Sequence, residues 1–238
     1  MIRALLWDVD GTLLNFKTAE RRALGDAFLR FGLGRCTEEM LARYSVLNDR
    51  WWKRLERGEV TKAELLTGRF RAFFRAEGVD CTEYDAFNDY YQIRLGETVV
   101  FQDEGYDLVR SLAGRVGQYA VTNGTVAAQR RKLKNSGLDI LMDGVFISEE
   151  VGADKPAPAF FDRVLSAIPA CPREEILIVG DSLTSDMKGG NLAGIRCCWY
   201  DPQDRPLPED LTIAYHIRDL RQVREILVRE NGPGFLCG

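Results

Sequence analysis

The 238-residue chain has a single histidine, His216, and its six cysteines (Cys36, Cys81, Cys171, Cys197, Cys198 and Cys237) form no CxxC pair. Zinc sites and thiol redox centres need clustered Cys and His at set spacings, so neither organises this protein, and the cysteines read as ordinary thiols of a reducing compartment. Long apolar runs are missing too. Ala4-Leu5-Leu6-Trp7 is broken at once by Asp8 and Asp10, far short of a signal-peptide core or a membrane span. Charge of one sign is also lacking: 32 basic and 36 acidic residues are interleaved, for a formal net charge of −4, and no basic field marks a surface for polymeric DNA or RNA. The expectation is a cytoplasmic protein whose partner is a small molecule, neither a membrane nor a polymeric nucleic acid. No pattern sets an oligomeric state.

What is present is a 45% hydrophobic chain long enough for a full core, as one large domain or one domain carrying an insertion. Residues 3–7 are short and apolar and run into Asp-Gly, which predicts a buried strand delivering Asp8 and Asp10 to its C-terminal end. From about 18 to 97 only helical signals occur: 19–31, 38–57, a stretch opened by the capping box Thr61-Lys62-Ala63-Glu64, and another opened by Thr82. The pattern then alternates. Helices are expected at 105–112, 126–136, 159–167 and 184–193, and strands at 116–122, 145–148, 176–179 and 195–200. A short strand near 213–216 and a helix near 220–229 close the chain. Alternation implies an α/β fold, a Rossmann-like doubly wound parallel sheet, with a helical bundle inserted after the first strand. The division expected is a discontinuous core, 1–16 and 98–238, and a helical cap, 17–97.

Ligands of open α/β sheets bind outside the carboxyl ends of the strands. Four polar groups end predicted strands: Asp8/Asp10, Thr122-Asn123-Gly124, Asp154-Lys155-Pro156, and Gly180-Asp181-Ser182 with Asp186. Carboxylates converging at one sheet edge repel unless a cation lies between them, and all-oxygen ligation favours Mg²⁺. The threonine hydroxyl, the backbone N–H groups after Thr122 and the lysine are donors suited to phosphoryl oxygens. Aspartates at i and i+2 face the same side of an extended chain, so one can attack phosphorus while the other moves protons. Asp-Gly and Asn-Gly alone are ordinary turns. A D-x-D-G-T string, however, arises by chance in a chain of this length only about a few times in a thousand. The four groups in this order carry the assignment together.

These four groups, Asp8-x-Asp10-Gly11-Thr12, Thr122, Lys155 and Gly180-Asp181-x-x-x-x-Asp186, resemble the four motifs of the haloacid dehalogenase superfamily, and the helical insertion lies where that superfamily carries its C1-type cap. The resemblance implies Asp8 as nucleophile and metal ligand, and Asp10 as general acid/base giving its backbone carbonyl to Mg²⁺. It implies Asp181 as a direct metal ligand, Asp186 as a supporting one, and Thr122 and Lys155, with the neighbouring Asn123, as phosphate-binding groups. The retained Asp10 points away from dehalogenation, because the dehalogenases of the superfamily lack that second aspartate and need no metal. Segments 46–52, 66–70 and 147–156 are further similar to pyrimidine 5′-nucleotidases, which implies a pyrimidine nucleoside 5′-monophosphate as substrate.

A nucleobase needs a flat surface and a few polar groups at its edge, so Asn48, Trp52 and Arg69 in the cap, with Phe16 at the hinge, are the candidates for substrate selection. Phe70, Phe73 and Phe74 at helical spacing read instead as core packing. The alternatives are a sugar-phosphate or phosphoglycolate-type phosphatase and, more distantly, a non-enzymatic switch of the receiver type. A Schiff-base phosphonatase finds nothing distinctive around Lys53 or Lys62. Gly180-Asp181-Ser182-Leu183 also spells a serine-esterase block, but with His216 alone as a possible base, Ser182 lacks the arrangement that would activate it.

Overall fold

The strand that bears Asp8 at its end lies at the centre of the sheet. In the computed structural model, which describes residues 1–236, β1 (Ala4–Trp7) is buried along its whole length. It pairs in parallel with β2 (Gly117–Thr122) on one side and β4 (Ile176–Gly180) on the other. With β3 (Gly144–Ile147), β5 (Arg196–Tyr200) and β6 (Tyr215–Ile217) the sheet is six-stranded and all parallel, in the order β3-β2-β1-β4-β5-β6. The chain winds outward from β1 through β2 and β3, returns to β4, and winds outward the other way. The switch point therefore falls between β1 and β4, where the crevice of such a sheet opens.

Alternate side chains leave opposite faces of each strand. Leu5, Trp7, Ala120, Leu177, Val179, Cys198 and Tyr200 face α5 (Gly105–Leu112), α6 (Val126–Ser136) and α10 (Gln222–Asn231). Ala4, Leu6, Tyr119, Val121, Ile176, Ile178, Cys197 and Trp199 face α8 (Pro158–Ala167) and α9 (Lys188–Ala193). This is the doubly wound α/β sheet expected.

Between β1 and α5 stand four helices, α1 (Phe16–Arg30), α2 (Glu38–Glu56), α3 (Lys62–Glu77) and α4 (Tyr84–Glu97), which form the helical cap. Their shared core is aromatic. Tyr44 stacks on Phe70 at 5.4 Å, and Phe28 meets Phe73, Phe74 and Phe87 edge-on at 6.0–6.2 Å. The predicted capping box forms: Thr61 accepts from the Glu64 backbone and Glu64 from that of Thr61, satisfying two donors that a helix start leaves open. The cap stands on the sheet domain through α4 and α6, with Ala128 of α6 included in the cap's own core.

Several boundaries differ from expectation. The fourth cap helix opens at Tyr84 rather than Thr82, and its N-cap, Glu83, makes no side-chain capping bond. Strand β3 spans Gly144–Ile147 because Ser148 already begins a four-residue helix, α7 (Ser148–Val151). The single helix expected over 184–193 divides into a π-turn, Leu183–Met187, closed by Met187 N–H on the Ser182 carbonyl at 3.1 Å, and then α9. The last strand is Tyr215–Ile217, one to two residues later than expected. The five cysteines from Cys36 to Cys198 are free thiols, while Cys237 lies outside the described residues. No helix among the described residues is long and apolar enough to cross a membrane.

Candidate active site

Two glycines let three carboxylates share the switch-point crevice. After β1 the backbone turns back at Gly11, whose φ of +96° is a conformation that L side chains rarely adopt, and a Cβ there would lie 2.6 Å from Asp181 Oδ2. At the end of β4 a Cβ on Gly180 would lie 2.4 Å from the Asp186 carboxylate. With both methyl positions empty, one carboxylate oxygen each from Asp8, Asp181 and Asp186 lies within 4.8 Å of the others.

Lys155 sits beneath this group, fully buried. Its ammonium donates to Asp8 Oδ1 at 2.8 Å, to Asp186 Oδ1 at 2.6 Å and to the Val121 carbonyl at 2.8 Å, so all three protons are engaged. Thr12 donates to the other Asp8 oxygen at 2.9 Å, and the Ser182 N–H to Asp186 Oδ2 at 3.1 Å. Asn123 holds the Lys155 backbone from both directions, accepting its N–H at 2.8 Å and donating to its carbonyl at 2.9 Å. Its role in the structure is thus to fix the lysine. Thr122, buried at the end of β2, has a hydroxyl whose one hydrogen bond among the described residues is a long 3.4 Å contact to the Asn123 carbonyl.

Burial, reinforced by the neighbouring Asp186 charge and opposed by Lys155, pushes the Asp8 carboxyl up to about 7. Burial and the Asp8 and Asp186 charges likewise raise Asp181 well above the usual carboxylate range. Burial works against the Lys155 ammonium, but Asp186 and Asp8 outweigh it and leave its pKa above the ordinary lysine value. Three carboxylates, Asp8 and Asp186 buried and Asp181 half-buried, against one ammonium leave a formal −2 (three negative, one positive). A divalent cation matches that deficit, and an all-oxygen donor set suits a hard ion, so the residues present fit Mg²⁺.

Asp10 stands apart from this group. Its carboxylate accepts from Gln129 Nε2 at 2.7 Å and from the Lys132 ammonium, both on α6 and both buried. Neither residue was picked out from the sequence. Their i, i+3 spacing after Thr122-Asn123-Gly124 is a signal, but on its own it cannot be told from a solvated helix face.

The cap candidates separate into two sets. Asn48 and Arg69 are 0% and 1% exposed and lie inside the cap, not on its surface toward the crevice. Arg69 donates to Asn48 Oδ1 at 2.8 Å and to Asn88 Oδ1 at 3.1 Å, Asn48 donates to Glu20 at 2.8 Å, and Gln92 donates to Asn88 at 3.2 Å. The chain of bonds leaves the cap where Thr125, the N-cap of α6, donates to Gln92 at 2.9 Å. Phe16 and Trp52 are half-buried, and the Lys132 ammonium lies 5.7 Å from the Phe16 ring centre. Lys62, which has nothing distinctive around it in the sequence, has its ammonium 2.6 Å from Asp154 Oδ1 and 2.6 Å from Ser148 Oγ, joining cap to core.

The esterase block has no chemistry here. The Ser182 hydroxyl accepts the Ser185 N–H at 3.2 Å as a helix-start cap, while His216, on β6, stacks on Trp199 at 4.6 Å.

Comparison with known proteins agrees with this geometry. The putative HAD-hydrolase YfnB of Bacillus subtilis is 36% identical over 229 residues, covering 96% of this chain and 97% of that protein. Its crystal structure, described as bound to magnesium and as revealing interdomain movement, superposes with a TM-score of 0.89 at 35% identity over 95% of this chain and 98% of that one. The pyrimidine 5′-nucleotidase PynA of Streptococcus pneumoniae is 36% identical over 83% of each chain, and the pyrimidine 5′-nucleotidase YjjG of Escherichia coli 28% identical over 94% of this chain and 97% of its own. The family model of haloacid dehalogenase-like hydrolases matches residues 2–194, a span that takes in the whole cap and every strand-end group described above, and the chain belongs to that family of hydrolases.

Proposed function

We propose that this hydrolase cleaves phosphate monoesters in two steps through an aspartyl-phosphate on Asp8, and that its substrate is a pyrimidine nucleoside 5′-monophosphate. The observation that carries the first part is the division of labour between two aspartates two residues apart. Asp8 is held by Lys155 and Thr12 at the acidic group, whereas Asp10 is held apart from that group by Gln129 and Lys132. Asp8 attacks phosphorus and the ester oxygen leaves with a proton from Asp10. Asp10 then takes a proton from water as the water attacks the acyl-phosphate, which releases inorganic phosphate and restores both carboxyl groups. Lys155 balances negative charge on the transferring group, where most of the catalysis of phosphoryl transfer resides. Thr122 donates to a phosphoryl oxygen, and Asn123 keeps Lys155 in place for the same purpose.

Asp8, Asp181 and Asp186, with the Asp10 carbonyl, would hold Mg²⁺, which when bound neutralises phosphoryl oxygens and offsets the repulsion among the carboxylates. Residues 1–16 and 98–238 form the catalytic core of this reading, and 17–97 the cap that contacts the leaving group. The nucleotide part rests on the two relatives named as pyrimidine 5′-nucleotidases. The test is phosphate release, with Mg²⁺ and with chelator, from uridine, thymidine and adenosine 5′-monophosphates, glucose 6-phosphate and phosphoglycolate, with Asp8→Asn and Asp10→Asn as controls. Full activity in Asp8→Asn would rule out the aspartyl-phosphate route, and a preference for purine nucleotides or glucose 6-phosphate would rule out the substrate.

A further inference from the structure

Lys132 is as deeply buried as Lys155, but its ammonium is far less engaged. Lys155 has three acceptors, whereas the one hydrogen-bond acceptor of Lys132 among the described residues is Asp10 Oδ1. Its other neighbour is the Phe16 ring, whose centre lies 5.7 Å away and whose face attracts a cation without taking its proton. An ammonium withdrawn from water for a single ion pair adds little or nothing to stability, and an apolar side chain of similar volume often serves a fold as well when the whole pair is replaced. Gln129, one turn earlier on the same face of α6, is 2% exposed and gives its Nε2 to the other Asp10 oxygen at 2.7 Å. Gly124 makes room for it, since a Cβ there would lie 2.8 Å from the same nitrogen. Each oxygen of Asp10 thus has its own buried donor, while the Asp10 side chain keeps 16% of its surface exposed, within reach of a leaving group or a water.

We infer that Lys132 and Gln129 are positioning residues for proton transfer: by fixing both oxygens of Asp10 they hold its carboxyl where the proton is needed in both half-reactions, first given to the departing ester oxygen and later taken from the attacking water. The inference rests on the phosphatase reading above and deepens it, because it assigns the buried ammonium of α6 to catalysis rather than to folding. It also separates substrates by their chemistry. Alkyl esters, whose oxygen is a strongly basic alkoxide unless it leaves with a proton, depend on the pair. An aryl ester such as p-nitrophenyl phosphate, whose phenolate leaves unaided, depends on it only in the second step.

The experiment compares wild type, Lys132→Met, Gln129→Met and Asp10→Asn on uridine 5′-monophosphate, glucose 6-phosphate and p-nitrophenyl phosphate. kcat/KM reads formation of the aspartyl-phosphate. In Lys132→Met its loss on the better of the two alkyl esters exceeds that on p-nitrophenyl phosphate by about tenfold or more, and Gln129→Met shifts the same ratio in the same direction by a smaller factor. On p-nitrophenyl phosphate, kcat of Lys132→Met falls further than kcat/KM, because discharge of the acyl-phosphate still needs Asp10; KM falls with it, and p-nitrophenol appears in a burst. A residue that only braces α6 moves neither the ester ratio nor this split. Gln129→Met carries the same two readouts should Lys132→Met fail to fold. Equal losses on alkyl and aryl esters in the folded variants, beside a selective loss on alkyl esters in Asp10→Asn, would overturn the inference alone. No selective loss in Asp10→Asn, or no phosphate release from any ester by the wild type, would overturn the reading on which it rests.

Discussion

Replacing Arg69 by methionine distinguishes a structural arginine from a substrate-binding one. The side chain is buried, its guanidinium bonds Asn48 and Asn88 at 2.8 and 3.1 Å, and its Cζ lies 4.8 and 5.1 Å from the ring centres of Phe70 and Tyr91. Methionine refills much of the aliphatic volume, so a large cavity is avoided. Asn88 Oδ1 keeps a donor in Gln92 at 3.2 Å, but Asn48 Oδ1 loses its partner. That orphaned acceptor costs about 1–3 kcal/mol, and the loss of the ring contacts about 1 kcal/mol more. Relief of the arginine's desolvation works in the opposite direction. The net expectation is a destabilisation of about 2–3 kcal/mol, a large share of the roughly 5–15 kcal/mol typical of a folded protein. Urea titration followed by circular dichroism reads this as a lower midpoint at unchanged slope. The kcat/KM ratio between uridine 5′-monophosphate and glucose 6-phosphate is expected to stay within about threefold, since the arginine faces the cap interior. Stability changed by less than about 1 kcal/mol, together with a tenfold shift in that ratio, would refute the structural role and restore Arg69 as a substrate contact.

Three further outcomes are expected. In Gly96→Ala the new Cβ would lie 2.7 Å from the Ala128 carbonyl oxygen and 2.8 Å from Arg131 Cβ, so α4 is forced from α6 and calorimetry should record a loss of about 1–3 kcal/mol. Glu230 is held down to about 2 by its bonds to Arg196 and Tyr215, from an ordinary 4.5; its stabilisation is present above the ordinary value and lost as pH falls through the lowered one. Urea titrations at pH 7, 4 and 3 should therefore show a flatter acid limb in Glu230→Gln than in wild type. Millimolar Mg²⁺ should raise the melting temperature of the wild type and leave Asp181→Asn nearly unmoved, because a ligand of the native state stabilises by mass action.

The parts of the fold that were legible from sequence are those in which local pattern and tertiary need agree. The helices at Gly105–Leu112 and Val126–Ser136 are found over the residues expected; in the structure the first buries one face, Leu108, Val109 and Leu112, and the second is bounded by the Thr125 cap and Gly137. The π-turn was not legible, because its cause is distant: Asp186 must turn back to Lys155 and to the Ser182 N–H, and regular helix yields to those bonds. Thr82 offers a cap signal that the backbone does not use, since α4 begins two residues later. In the site, Asp8, Asp181, Asp186 and Lys155 were found because strand ends converge by topology, and the same rule placed Asn123 close by without revealing that it grips a backbone. Gln129 and Lys132 lie on a helix, where a polar residue serving the site has the same local pattern as one serving solvent. Asn48 and Arg69 were assigned outward as polar residues among aromatics, whereas in the structure Arg69 donates to Asn48 inside the cap.

Gly11 and Gly180 imply that the acidity of the site is written partly in atoms that are missing. The Asp181 and Asp186 carboxylates occupy the volumes in which two methyl groups would otherwise stand. An alanine at either glycine would evict a carboxylate while leaving every charged residue in the sequence, so the site can be lost without any change in its chemical inventory.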